Sequence, residues 1–278
     1  MPHYTTLHTH TDSGIHTIFL NRPEKRNALN HQLIDDLTQA LEAFAASQSC
    51  RVVIVTGAGS SFCAGLDLEH LRTMIQHSGE ASATEDYLED AQRIARLLRT
   101  LYALPKPSIA AVNGPAIAGG MGIATLCDFT LAVPEAKFGY TEVRIGFIPA
   151  VVSAFLRTQI GEKASRDLLL TGRLLSAPEA VSIGLVNRII PEPELIPEAK
   201  LLAQRLLRNS PAAMESTKRL LRHFTDHHLP DDIEAAIHAS VDARSSADFR
   251  EGVSAFLEKR EPRWPSAHLG TREPVASK

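Results

Sequence analysis

The spacing of apolar positions changes period several times along the chain, and each change marks an element. The first clear strand is Ile15–Leu20, followed by Asn21-Arg22-Pro23-Glu24-Lys25-Arg26-Asn27, a turn-rich and basic loop. From Gln32 to Phe44 the residues Leu33, Ile34, Leu37, Leu41 and Phe44 recur at helical spacing, with acids early in the run as the helix dipole prefers. Arg51–Thr56 is a nearly continuous β-branched apolar run, the pattern of a buried strand. Leu68–Ile75 and Thr84–Leu104 read as helices, the second stopped by Pro105-Lys106-Pro107, and Ser108–Val112 and Phe129–Val133 read as further strands. Strands and helices alternate to about residue 190, which predicts an α/β layered fold. Beyond Pro197 the pattern is helical only, with apolar stripes over Ala199–Arg208, Pro211–His223 and Asp231–Lys259 that need a partner surface in this subunit or a neighbour. The polar, histidine-rich Met1–Ser13 reads as a floppy terminus, and Glu261–Lys278, with three prolines, as a strap that frays beyond Trp264.

Composition narrows the classes. A chain of 278 residues makes one large domain or two small ones, with enough length to bury a core. With 44% hydrophobic and 22% charged residues, disorder, collagen and coiled coil are excluded. A net charge of -3 gives no broad basic footprint for nucleic acid or anionic lipid, so an anionic ligand must be held by local groups. Cys50, Cys63 and Cys127 form no Cys-x-x-Cys pair, which fits a reducing, cytoplasmic setting. No apolar run is long enough to span a membrane, and no signal-type apolar segment opens the chain.

Two glycine-bearing loops carry the chemical signal. Thr56-Gly57-Ala58-Gly59-Ser60-Ser61-Phe62 follows a strand and approaches a dinucleotide-binding pattern, but Phe62 stands where close helix packing wants the third glycine. In Phe62-Cys63-Ala64-Gly65-Leu66-Asp67-Leu68 small residues precede a helix start and leave backbone amides able to face outward. Ala118-Gly119-Gly120 also precedes a helix, and glycine lets main chain approach a ligand closely. Two such amides converging make an oxyanion hole; tight helix and strand packing is the competing reason for the same residues. Cys63 is either a nucleophile or a buried small hydrophobe, and no histidine is evidently paired with it. The paired histidines His8/His10 and His227/His228 read as solvated, and no metal is assigned.

The segment Ile109-Ala110-Ala111-Val112-Asn113-Gly114-Pro115-Ala116-Ile117-Ala118-Gly119-Gly120-Met121-Gly122 and its continuation to Phe129 resemble the signature of the crotonase family, the enoyl-CoA hydratase/isomerase proteins. Asn21–Leu29, Ala64–Leu68, Lys137–Glu142 and Asp248–Arg260 are similar to that family as well, in its order, so the resemblance covers Ile15 to Trp264. It implies a crotonase-like spiral of ββα units over residues 1–196, a helical region over 197–264 that builds trimers or dimers of trimers, and a flexible tail over 265–278. Carried over by position, the amides of Leu66 and Gly119 hold the thioester oxygen of an acyl-CoA substrate. Lys25 approaches the CoA phosphates, Ala64, Leu66 and Leu68 line the adenine and pantetheine path, and Thr141 joins the binding residues. Glu142 matches the proton-transferring glutamate, while Gly122 stands where two-glutamate hydratases carry their other carboxylate. Ile148-Pro149-Ala150-Val151-Val152 alters the pocket wall. The resemblance therefore implies an enoyl-CoA hydratase with a single glutamate and no resident cofactor, coenzyme A entering with the substrate. A Δ3,Δ2-enoyl-CoA isomerase and a non-catalytic acyl-CoA-binding scaffold are the alternatives.

Overall fold

Two stacks of strands are filled in turn as the chain winds. The computed structural model describes residues 4–76, 83–225 and 227–270. It opens with β1 (Leu7–Asp12), β2 (Ile15–Leu20), α1 (His31–Ala46) and β3 (Val52–Gly57). Helices α2 (Leu68–Gln76) and α3 (Ala83–Ala103) lead to β4 (Ser108–Val112), and β5 (Ala116–Ile117) turns directly into α4 (Gly119–Leu126). There follow β6 (Phe129–Ala132), β7 (Lys137–Gly139), α5 (Ala150–Thr171), β8 (Leu175–Ser176), α6 (Ala177–Ser182) and β9 (Arg188–Ile189). Four helices come last: α7 (Glu192–Leu207), α8 (Pro211–Thr225), α9 (Leu229–Ser245) and α10 (Ala247–Glu258).

The larger sheet has the order β1-β2-β3-β4-β6-β9 and the smaller β5-β7-β8. From β2 onward every pairing in the larger sheet is parallel. Successive turns place β4 then β5, and β6 then β7, in the two sheets, with a helix after each pair, so the architecture is the spiral of ββα units that the resemblance implied. Strands β3 and β4 are buried at every residue, which is why they read as continuous apolar runs. Leu33, Leu37 and Leu41 of α1 and Leu97, Leu98 and Leu101 of α3 join them in one core.

The structure corrects the reading in four places. The histidine-rich terminus is not floppy over Leu7–Asp12: it pairs antiparallel with β2 through a turn in which Ser13 and Gly14 both have positive φ. Only Leu7 of that strand is buried, so it gains ladder hydrogen bonds and little apolar burial, and its sequence carries no hydrophobic signal. The stripe over Asp231–Lys259 is two helices, because Ser246 takes an extended conformation and its hydroxyl caps α10 at the Phe249 amide, 3.0 Å away. Helix α7 begins at Glu192, ahead of Pro197. Order continues past Trp264, where Ser266 donates its amide to Asp248 at 3.0 Å; residues 271–278 of the expected flexible tail lie outside the described residues. Among the described residues no helix is long and apolar enough to cross a membrane.

Of the late helices, α7, α9 and α10 cover this chain's own interior. Helix α9 packs on α3 and α5, and α10 packs on α2 and on a short 3-10 turn, Glu142–Ile145. That last contact is made backbone to backbone: Gly252 of α10 lies against Ile145, and Gly146 against the Asp248 carbonyl. A methyl group at Gly252 would overlap the Ile145 carbonyl carbon and oxygen, so Gly252→Ala is expected to destabilise the protein by about 1–3 kcal/mol. Chemical denaturation reads this directly, and an unchanged midpoint would mean that α10 does not dock there.

Candidate active site

The site is built on the rungs of the smaller strand stack. Leu29 bridges Leu66 in parallel fashion, accepting from the Asp67 amide at 2.9 Å and donating to the Gly65 carbonyl at 2.7 Å. In a parallel ladder a residue bonded to both neighbours of its partner leaves the partner's own N–H pointing to the opposite side. The Leu66 amide therefore faces away from Leu29, and Leu66 lines a cleft of about 770 Å³. The second amide comes from the start of α4. Ala118 has φ 51° and ψ -123°, a conformation rare outside glycine, and it swings the chain from β5 into the helix so that Gly119 is the first helical residue. An N–H at that position has no acceptor inside its helix. Gly119 lines the same cleft.

Close packing holds the two loops in register. Cys63 bridges Ala116, Ile117 donates to the Cys63 carbonyl at 2.9 Å, and Ala118 donates to the Gly139 carbonyl at 2.7 Å. A side chain at Gly65 would press on Ala118 Cβ at 3.1 Å, and one at Gly120 would overlap the Cys63 carbonyl. The glycines therefore serve close packing, and the same packing fixes the backbone at Leu66 and Gly119. Cys63 is fully buried, and burial pushes its thiol up to about 12, which fits the hydrophobe and not the nucleophile. The Gly57–Phe62 loop is tied inward: Gly57 donates to Asn113 Oδ1 at 3.0 Å, Asn113 Nδ2 donates to the Gly59 carbonyl at 2.8 Å, and Phe62 is fully buried.

Glu142 stands at the head of the 3-10 turn and lines the cleft. The residue is buried, and its Oε2 has no hydrogen-bond partner. Loss of water raises the carboxyl to about 7 from an ordinary value of 4.5, with a hydrogen bond from its own backbone acting weakly the other way. A carboxyl poised near neutrality in a cleft that Leu66 and Gly119 also line can carry a proton to or from a carbon beside a carbonyl.

The expected binding residues gather here with one gap. Lys25, Ala64 and Thr141 line the cleft together with Leu66, Gly119 and Glu142. Lys25 is half exposed and 3.4 Å from the carboxylate of Glu69, a contact that an incoming polyanion can displace. The side chain of Leu68 lies outside the described residues. Gly122 does not open onto the cleft: a Cβ there would stand 2.9 Å from Val152 Cγ1 and 3.5 Å from Leu98. Val152 occupies that space and lines the wall in its place, beside Ile148, Pro149 and Val151.

Comparison with known proteins places this arrangement. The enoyl-CoA hydratase/isomerase family pattern matches residues 10–267. The chain belongs to this family. A Thermus thermophilus protein provisionally named an enoyl-CoA hydratase is 44% identical over 247 residues, 89% of this chain and 96% of its own length. A crotonyl-CoA hydratase of Syntrophomonas wolfei is 33% identical over 264 residues, 93% of this chain and 97% of that one. The crystal structure of an enoyl-CoA hydratase/isomerase from Xanthobacter autotrophicus Py2 superposes with a TM-score of 0.83 at 30% identity, covering 95% of this chain and all of that one.

Two features of this family member escaped sequence reasoning. His31 and His70 each direct Nε2 at one oxygen of buried Asp90, the His70 contact being 2.9 Å, which ties the start of α1 and the helix α2 to α3. Burial disfavours the Asp90 charge, yet these hydrogen bonds outweigh it and hold the carboxyl well below its usual range, while the bond His31 donates to Asp90 raises the imidazole. The second feature is Arg244, buried and lining the cleft. Its signal was present, since Ile233, Ala236, Ile237, Ser240, Val241 and Arg244 form the buried stripe of α9 and only the last carries a charge.

The packing at Gly122 yields a direct test. Gly122→Glu would force a carboxylate onto Val152 and Leu98, and it is expected to lower stability by about 1–3 kcal/mol without raising turnover of any enoyl-CoA. Thermal denaturation with an activity assay checks both halves; a stable, faster variant would mean that space for a second carboxylate exists.

Proposed function

We propose that this protein is an enoyl-CoA hydratase that works with one carboxylate. The observation that carries the reading is Glu142, buried with an unpartnered oxygen in the cleft that Leu66 and Gly119 also line. As water adds to the β-carbon of a 2-enoyl thioester, electron density moves onto the thioester oxygen. Two preorganised amides in a site shielded from water stabilise that charge, each worth on the order of 3 kcal/mol. The Glu142 carboxylate accepts one proton from the attacking water, whose oxygen bonds to the β-carbon, and returns a proton to the α-carbon, so the net change is addition of water across the double bond. Lys25 at the mouth is suited to the CoA phosphates, and Ala64 and Thr141 to the thioester arm. The chemistry requires no resident cofactor.

The apolar wall around Val152 gives a second reading some weight. With no carboxylate opposite Glu142, the same group can move a proton between two carbons, which is the isomerase reaction. We infer an assembly of three or six subunits, supported by α8, which buries no residue within this chain and exposes Leu220, Leu221 and Phe224. The three buried free cysteines suit a cytoplasmic setting.

An absorbance assay separates the readings. Crotonyl-CoA should lose its conjugated-thioester signal, and Glu142→Gln should lower kcat/KM by about 10²–10⁴-fold while substrate still binds. Because hydration starts from the carboxylate, and burial raises Glu142 to about 7, kcat/KM should climb as pH rises through that value and level off above it. A new conjugated signal from 3-hexenoyl-CoA, with crotonyl-CoA untouched, would establish the isomerase instead. Tight CoA binding without turnover of either would point to a scaffold.

A further inference from the structure

A buried cation that lacks an anion is a costly thing for a protein to keep, and the cleft contains one. Arg244 of α9 is 3% exposed. Its Nη1 is directed at the hydroxyl and carbonyl oxygen of Ser240, one turn earlier on the same helix, and its Nε has no partner. The guanidinium carbon lies 4.7 Å from the centre of the Phe147 ring, so one face rests on an aromatic surface. Among the described residues no carboxylate pairs with it. Asp90 and Tyr87 are near enough to favour its charge, but both oxygens of Asp90 are engaged by His31 and His70, and burial still draws the guanidinium down to about 10.

The place of this group in the cleft indicates what it meets. Phe147 donates its amide to the Glu142 carbonyl at 3.1 Å, so Arg244 sits over the loop that leaves the proton-transfer residue, while Lys25 lies on the loop leading from β2. Among the described residues Arg244 makes neither an ion pair nor a hydrogen bond with Glu142. A substrate held with its thioester at the two amides and its reacting carbons at Glu142 would carry its acyl chain onward, and Ser240, Arg244, Phe147 and Phe256 all line the cleft. A carboxylate is flat, matches the guanidinium fork, and needs far less room than a phosphate. We propose that Arg244, with Ser240, recognises an anionic group at the far end of the acyl chain, so that the protein acts on the mono-CoA esters of dicarboxylic acids. This rests on the reading of the cleft as an acyl-CoA site.

Calorimetric titration with two saturated ligands of equal chain length tests it, since neither can be hydrated and their affinity ratio is independent of turnover. Adipyl-CoA should bind the wild-type protein at least about 30-fold more tightly than hexanoyl-CoA, as expected when a buried charge gains a directly paired carboxylate. In Arg244→Met the ratio should fall to about one, and Arg244→Lys should restore part of it. A wild-type ratio near one overturns the proposal even if the variants do not fold. Equal weakening of both ligands by Arg244→Met also overturns it, and would place the guanidinium on the CoA moiety or in the structure alone. Failure of the absorbance assay would count against the hydratase reading and leave the affinity ratio to decide on Arg244.

Discussion

The interlock of two backbone loops is the constraint on which the site depends. Cys63 and Ala116 form a rung, Gly65 touches Ala118, and Gly120 sits on the Cys63 carbonyl, so neither loop can shift without the other. This packing over-determines the strained backbone of Ala118, a conformation that costs on the order of 1–3 kcal/mol and persists only where the surroundings enforce it. The strain sets the entry angle of α4 and hence the direction of the Gly119 amide. Charge stabilisation by fixed dipoles is effective because nothing has to reorient when charge appears. On the proposed reading the Leu66 side chain contributes little to that function, and the small residues that set the two backbones contribute much.

Glu142, the proposed proton-transfer group, depends on the same economy of space from the other side. Helix α10 docks glycine to backbone on the turn that bears Glu142, whose carboxyl is raised by its burial. Across the cleft, Val152 fills the space beside Gly122 with hydrocarbon. A second carboxylate in that place would both overlap Val152 and add a like charge to a dry cavity. The single glutamate is thus a property of the packing as much as of the sequence.

How much of this could be read in advance follows from what each residue answers to. The strands β3 and β4 and the helix α1 were legible because burial within one chain imposes its period on them. The strand β1 was not, since an edge ladder with a polar face leaves only the Ser13-Gly14 turn as a mark. The break between α9 and α10 hides in a run whose apolar phase continues across Ser246, and only the cap geometry separates them. Leu66, Gly119 and Glu142 were found through family resemblance; the residues alone left oxyanion hole and packing unresolved. Val152 filling the space at Gly122 is a contact between α4 and α5, and no local pattern encodes it. Arg244 was marked by a charge on an apolar stripe, a pattern that does not by itself tell a cleft-lining cation from one that snorkels to the surface.

On the proposed mechanism, two backbone amides polarise the thioester carbonyl before any proton moves. Infrared difference spectroscopy of Glu142→Gln bound to an enoyl-CoA labelled with carbon-13 at the thioester carbonyl tests this without turnover. The labelled carbonyl band should shift to lower frequency on binding, and Gly120→Ala, introduced into the same protein to force the loops apart at the Cys63 carbonyl, should remove most of the shift. A band that stays at its solution position in the bound complex would contradict this mechanism.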